Sequence, residues 1–347
     1  MKKLIFLLLI ILSLSPIYTA QACDSCNFFE YSLLGNKSYF GLFYRYRGFQ
    51  EYKTYQNNSI QRTVQTYPEQ LSTSLLPWDN SGELMHDPGG NGLYVKKSPQ
   101  DFETYQSIEA RGNYTLNNKW NFTFLLPYEF NKIYYEDYLD LPNPARDTTL
   151  FVQGWGDLTV ATDYIWQNYS KKSRHTIRPG IALTIPTGKS MLNSDTENRN
   201  LFDPIIQPGT GAWAGTIRLN YQWFVSNQGI NAGASYQMNT EGAQVYQFGN
   251  SLNLYTIYFH QFTAGSNWIF APNLGFYYED SRKDQWKGII QEVTSGSVGF
   301  AQAGLDINYT QTTLSIVYQH SVFQNLNGNQ ILNQSRLSVG VAQNLKL

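Results

Sequence analysis

Residues 209–225, GTGAWAGTIRLNYQWFV, place Trp213, Gly215, Ile217, Leu219, Tyr221, Trp223 and Val225 at alternate positions. Between them stand Ala212, Ala214, Thr216, Arg218, Asn220 and Gln222. A period of two puts one set on each face of a β-strand. The run exceeds the roughly five or six residues usual in a soluble strand, so its bulky face needs a long apolar surround. The pattern recurs along the chain, with candidate strands at 37–47, 101–116, 119–135, 156–167, 174–186, 209–225, 230–240, 246–260, 266–279, 295–309, 312–323 and 334–347. The alternation changes phase near Phe300–Ala301, as at a bulge.

The connections sort by parity. Long ones (48–100, 136–155, 187–210 and 280–294) alternate with short ones such as 117–118, 168–173, 226–229 and 310–311. Alternating long loops and tight turns, with an even strand number, is the pattern of a closed antiparallel transmembrane β-barrel of about twelve strands. An all-β secreted sandwich is the alternative, but it has no reason to sort its loops this way. The bulky faces then lie against lipid, and Trp120, Trp166, Trp223 and Trp268 suit interfacial aromatic girdles. Composition agrees: the chain is 16% aromatic and 15% charged with a mean hydropathy of −0.39, too polar for a helical membrane protein. With 25 Lys and Arg against 26 Asp and Glu, no nucleic-acid partner is indicated.

Lys2, Lys3, the apolar run Leu4–Leu14 and Ala20-Gln21-Ala22 read as a secretory signal peptide over 1–22. A periplasmic segment at 23–36 and a barrel over 37–347 follow, with both termini expected in the periplasm of an exporting bacterium. Cys23 and Cys26 are the two cysteines of the chain. A disulfide, a lipidated Cys23 and a soft-metal site are the open alternatives there. Loop residues Asp79, Glu83, Met85, His86 and Asp87 carry ligand chemistry but equally suit a turn-rich loop.

The polar residues between the lipid-facing ones line the lumen. Arg45, Arg47, Glu109, Arg111, Asp163, Arg178, Arg218, Asp306 and Arg336 are the candidate solute contacts, with Glu129, Asp157 and Arg174 on the same faces. Such charges either pair across the interior to brace the wall or set solute preference. No catalytic motif and no cofactor site is present in the sequence, so an enzyme is not expected.

Three segments have a further likeness. GWGDLTVATDY (154–164), RPGIALTIPTGK (178–189) and QPGTGAWAGTIRLNYQW (207–223), through Gly154, Gly156, Asp157, Pro186, Thr187, Gly188, Gly209 and Gly211, resemble the outer-membrane transporter family named for the meta-pathway of phenol degradation. The ACDSC opening (22–26) is similar to exported barrels of Bacteroidota. The resemblance implies an outer-membrane barrel passing small molecules, hydrophobic ones included. It implies no catalytic residues. It also implies a final strand read by the barrel-assembly machinery, although Leu347 stands where an aromatic residue is usual. The expected function is a passive channel. A plugged barrel acting in surface adhesion, or in metal handling through Cys23 and Cys26, is the alternative.

Overall fold

The computed structural model describes residues 38–52, 98–138, 146–193, 201–328 and 330–345. The proposed signal peptide, Cys23, Cys26 and the loop at 77–92 lie outside these residues. Twelve wall strands follow one another: β1 (Tyr39–Tyr52), β2 (Phe102–Leu116), β3 (Trp120–Tyr138), β4 in three pieces (Arg146–Trp155, Leu158–Tyr164, Trp166–Tyr169), β5 (Ser173–Ile185) and β6 (Ala214–Val225). Then come β7 (Gln228–Asn239), β8 (Ser251–His260, continued by Phe262–Ala264), β9 (Trp268–Ser281), β10 (Gly296–Tyr309), β11 (Thr312–Leu326) and β12 (Ile331–Asn344). Each strand is antiparallel to the next, and β12 returns to pair with β1 from Tyr39↔Asn344 to Tyr52↔Ile331. The sheet is closed.

Closure follows from the outer face. Leu42, Ile108, Phe122, Ile181, Ile217, Leu219, Leu274 and Val341 are all exposed. A surface of that kind is stable against lipid, where no water is present to satisfy an open sheet edge. Trp120, Trp166, Trp223 and Trp268 are exposed beside the tight turns, with Tyr164 and Tyr309 packed edge-on or tilted against two of them. That is an aromatic belt at one rim. The turn after β2 places Asn117 and Asn118 at φ 51° and 54°, and the Lys119 N–H donates to Leu116 O at 3.1 Å. Asparagine tolerates this left-handed backbone better than most residues. Ser38 and Leu345 meet at the same rim through a backbone hydrogen bond.

Four local expectations are corrected. The connection read as a loop over 136–155 is largely a hairpin. β3 runs 19 residues to Tyr138 and pairs with Arg146–Trp155, well beyond the roughly 9–11 residues a bilayer needs. The opening stretch becomes strand only at Ala214, and residues 209–213 join the loop before it. The wall part of the eighth strand begins at Ser251, so Phe248 packs on Tyr246 within a loop. Finally, β10 keeps its phase, pairing with β9 without interruption from Gly296 to Tyr309. Val298 and Phe300 point inward because the lumen holds an apolar cluster with Tyr277, Leu326 and Leu332. The register shift lies in the pairing with β11, where Val322 is the additional residue.

Placing a charge on the lipid face tests the orientation. Leu219→Arg on the outer face of β6 should lower stability by roughly 2–4 kcal/mol if it lies near the bilayer midplane. Denaturant titration of vesicle-embedded protein measures it, and an unchanged midpoint would mean that this face is not in lipid.

Candidate functional site

All nine lumen candidates fall on the inner face. Glu109 is fully buried between two arginines: Arg45 Nε lies 3.0 Å from Oε1, Arg111 Nε donates to Oε2 at 2.8 Å, and Ser107 Oγ donates to Oε1 at 3.0 Å. A buried carboxylate is tolerated only when paired and hydrogen-bonded in this way. Arg336 on β12 reaches Glu279 on β9 with two bonds, Nη1–Oε1 2.6 Å and Nη2–Oε2 2.8 Å, past the intervening β10 and β11. Its guanidinium also lies 4.0 Å from the centre of the Phe300 ring. Arg47 is the register partner of Arg336 and sits 5.1 Å from the Tyr105 ring, within electrostatic reach of Glu129.

The third assembly is on the opposite wall. Arg218 on β6 holds Asp163 on β4 through Nε–Oδ1 at 2.6 Å and Nη2–Oδ2 at 2.5 Å. The strand between them contributes Gly180, which is in register with both residues. A Cβ at 180 would come within 1.8 Å of Asp163 Oδ1, so the ion pair bridges a strand that is bare at this point. Arg178 and Asp306 are buried on the same inner surface, Asp306 nearer the tight-turn rim.

The family-like motif has a different location. Asp157, between the first two pieces of β4, accepts from Gly188 N at 2.9 Å on Oδ1 and from Thr210 N and Oγ1 at 2.8 and 2.7 Å on Oδ2. Gly156 N donates to Pro127 O, Lys189 N to Trp155 O, Gly209 N to Lys189 O, and Leu158 N to Thr187 Oγ1. The three motif segments are therefore one joint at the long-loop rim. Gly188 and Gly209 touch backbone to backbone, where a Cβ at 188 would come 2.8 Å from Gly209 Cα and one at 209 would come 2.7 Å from Gly188 Cα. Pro186 follows directly on the end of β5, and Gly211 turns the chain at φ 66°. Gly154 lies under Lys189 and Pro208. Asp157 thus serves this joint and is not a lumen contact.

From the joint, loop residues cross the mouth. Ile206 packs on Ile133, Tyr135 and Val152, and Asn131 Nδ2 donates to Ile206 O at 2.9 Å. Gln244 Nε2 donates to Phe202 O at 2.9 Å, which ties in the loop after β7. That loop is held to the one after β9 by Asp284, which accepts from Tyr246 Oη at 2.6 Å and from Gly249 N at 2.7 Å. Asn327 and Gln330 bond to Ser295 from the last loop. Burial pushes Asp284 up to about 6 and moves the Tyr246 hydroxyl well above its ordinary range. The long connection at 187–210, which the sequence offers as a gate, is in its described part a member of this interlocked cap.

Glu279, Gly180 and Asp284 were not among the expected site residues. Glu279 and Gly180 both stood on the inner parity of their expected strands, a signal that was available. Asp284 lay in a loop, where no periodicity selects it. Among the described residues no group of three His, Cys, Asp or Glu side chains is placed to hold a metal ion.

No family model matches this sequence, and no curated protein matches it. Solved structures do. The COG4313 outer membrane channel from Pseudomonas putida F1 superposes with a TM-score of 0.56 at 12% identity, covering 91% of this chain and 98% of that one. The β-domain of the Bordetella autotransporter BrkA gives a TM-score of 0.44 at 9% identity, over 89% of this chain and 100% of that one. The first likeness shows the fold, that of an outer-membrane β-barrel.

Two outcomes check this chemistry. Asp163→Ala leaves Arg218 buried without its carboxylate and should cost about 3–5 kcal/mol; adding Arg218→Met should restore much of it, as denaturant midpoints would show. Asp284 has its folded pKa raised above the ordinary aspartate value of about 3.9, so its contribution is complete below that value and is lost as pH rises through about 6. The melting temperature of refolded protein should therefore fall across that window in the wild type and fall less in Asp284→Asn.

Proposed function

We propose that this chain is a passive outer-membrane channel for small polar solutes, with a modest preference for anions. The observation that carries this reading is the inner face. Arg45, Arg47, Arg111, Arg174, Arg178, Arg218 and Arg336 stand there against Glu103, Glu109, Glu129, Asp163, Glu279 and Asp306, among buried Asn, Gln and Thr. Charged linings bias permeation by sign, and an excess of one cation gives a small bias. The likeness to a solved outer membrane channel supports the same reading. So do the three motif segments, through which membership of the meta-pathway transporter family is proposed, while the ACDSC opening (22–26) is the ground for a proposed Bacteroidota source. On this reading residues 1–22 direct export, and the tight-turn rim and both termini are periplasmic. The polar wall favours polar solutes over the hydrophobic ones that the resemblance implies.

One observation favours a competing reading. The lumen side chains are close-packed and the loops interlock over the mouth, as in a barrel that is shut and serves to bind a partner outside the cell. Planar-bilayer recording of refolded 23–347 separates the two. Discrete conductance steps with a reversal potential on the anion side are expected for the channel. Silence from protein shown to be folded would leave the shut barrel.

A further inference from the structure

The two rims differ in charge. At the tight-turn rim the exposed charged side chains among the described residues are Lys119, Lys171 and Lys172. The turns there read LNNKW (116–120), YIWQNYSKKS (164–173), VSNQ (225–228), HQFTAGSNW (260–268) and YTQT (309–312), and none contains Asp or Glu. Asp163 and Asp306, further along the strands, are buried on the inner face. The long-loop rim mixes both signs: Glu51, Asp147, Glu241 and Glu292 are exposed there, as are Arg282 and Lys287. A surface of one sign attracts a neighbour of the other, so the tight-turn rim calls for an anion.

Lys171 and Lys172 stand at the end of an ordered outer face. Asn168, His175 and Trp223 lie in register across β4, β5 and β6, and two residues further along so do Trp166, Ile177 and Tyr221. His175 Nδ1 is 2.8 Å from Tyr221 Oη, and its Nε2 is 3.3 Å from Ser173 Oγ. The two rings stack at 6.2 Å between centres. A polar set of this kind on the lipid side belongs at headgroup depth, because hydrocarbon would leave its remaining donors and acceptors unsatisfied. Trp166 and Trp223 are exposed on either side of it, as rings at that depth are. Along the same sheet Ile181, Ile217 and Leu219 are exposed next. Headgroup zone and hydrocarbon zone therefore form one continuous surface.

Resting on the reading that this rim is periplasmic, we propose that the outer face formed by Lys171, Lys172, His175, Tyr221, Trp166 and Trp223 seats an anionic phospholipid of the periplasmic leaflet. The two ammonium groups meet the phosphate as point charges. His175 donates Nδ1–H to Tyr221 Oη, which leaves the phenol proton for a phosphate oxygen. The indoles lie beside the glycerol, and the acyl chains run over Ile181, Ile217 and Leu219. A headgroup that carries its own ammonium would set that charge against the lysines, so a net negative headgroup is selected. The barrel thereby chooses its lipid neighbour on one side of the membrane.

The test is native mass spectrometry of the full chain in neutral detergent micelles, with dioleoyl phosphatidylglycerol and dioleoyl phosphatidylethanolamine offered together. Phosphatidylglycerol should be retained in preference by at least about tenfold, since each lysine beside an anionic headgroup contributes about fivefold. Lys171→Gln/Lys172→Gln should bring the ratio close to one. Arg282→Gln/Lys287→Gln, which removes the same charge from the other rim, should leave it unchanged. Tyr221→Phe should lower phosphatidylglycerol retention by about tenfold, with circular dichroism confirming the fold of every variant. Equal retention of the two lipids, or a preference that both double variants alter alike, would overturn the seat. So would indifference to Tyr221→Phe, which would leave only diffuse rim charge, or displacement of the lipid by equimolar glycerol phosphate, which would make the site one for a free anion. Sidedness is read separately, by labelling Ser170→Cys in intact cells with an impermeant maleimide after Cys23 and Cys26 are changed to Ser. Labelling there overturns the periplasmic reading and with it the leaflet assigned to the lipid, whereas a protected cysteine without lipid preference overturns this inference alone.

Discussion

The pairing of β1 with β12 is the constraint from which the rest follows. A strand facing lipid has no water to complete its edge, so the sheet must end on its own beginning. Once it does, side chains divide into two populations by parity alone. Ile217 and Leu219 go outward beside Arg218, which goes inward. The inner population is then enclosed in a barrel whose strand number falls between the filled eight-strand type and the open porins. Buried charge in that space has to find a partner or be lost to the fold, and the pairs on Glu109, Glu279 and Asp163 are the result.

Pairing across a curved wall needs room as well as opposite charge. Asp163 and Arg218 are two strands apart, and they meet because the strand between them has no side chain at Gly180. Glycine is used the same way at position 340, where Phe43 lies against the wall and the Arg111 guanidinium stacks 4.4 Å from its ring centre. These residues weaken a strand locally, since glycine has more backbone entropy to lose. They are tolerated because the side chain folded over each one restores the contact. The same device frames Asn231, where Gly229 lies under the Phe259 ring and Gly233 under the Tyr255 ring, whose hydroxyl donates to Asn220 Oδ1 at 2.7 Å.

Much of the architecture was legible because lipid and lumen impose a strict period of two. Twelve strands, their order and the sorting of the loops follow from it. Two of the failures share a physical cause: near the long-loop rim the inside is no longer polar. Val298 and Phe300 join an apolar cluster, so the alternation breaks down although the strand does not. The same holds for the hairpin over 128–155, where Ile133 and Val152 turn inward to meet Ile206. Site residues were legible where they lay on wall strands. Asp284 was not, because its burial comes from loops that meet only after the barrel has closed.

The joint on Asp157 bears on how the family-like motif should be interpreted. Both carboxylate oxygens are occupied by donors from Gly188 and Thr210, and the glycines on either side allow the segments to touch. Each motif residue is thus accounted for by docking one long loop against the extended hairpin. Likeness in these segments therefore reports how the mouth is built. Beyond the joint, the same segments run along the inner faces of β5 and β6. Gly180, Ala182, Thr184, Ala214 and Thr216 lie in them as well as Arg178, Arg218, Asn220 and Gln222, so the inner residues of these strands outside the segments are chiefly those at the start of β5 and on β7. On the channel reading, it is the inner face outside those segments, β7 included, that is free to differ between barrels with the same mouth.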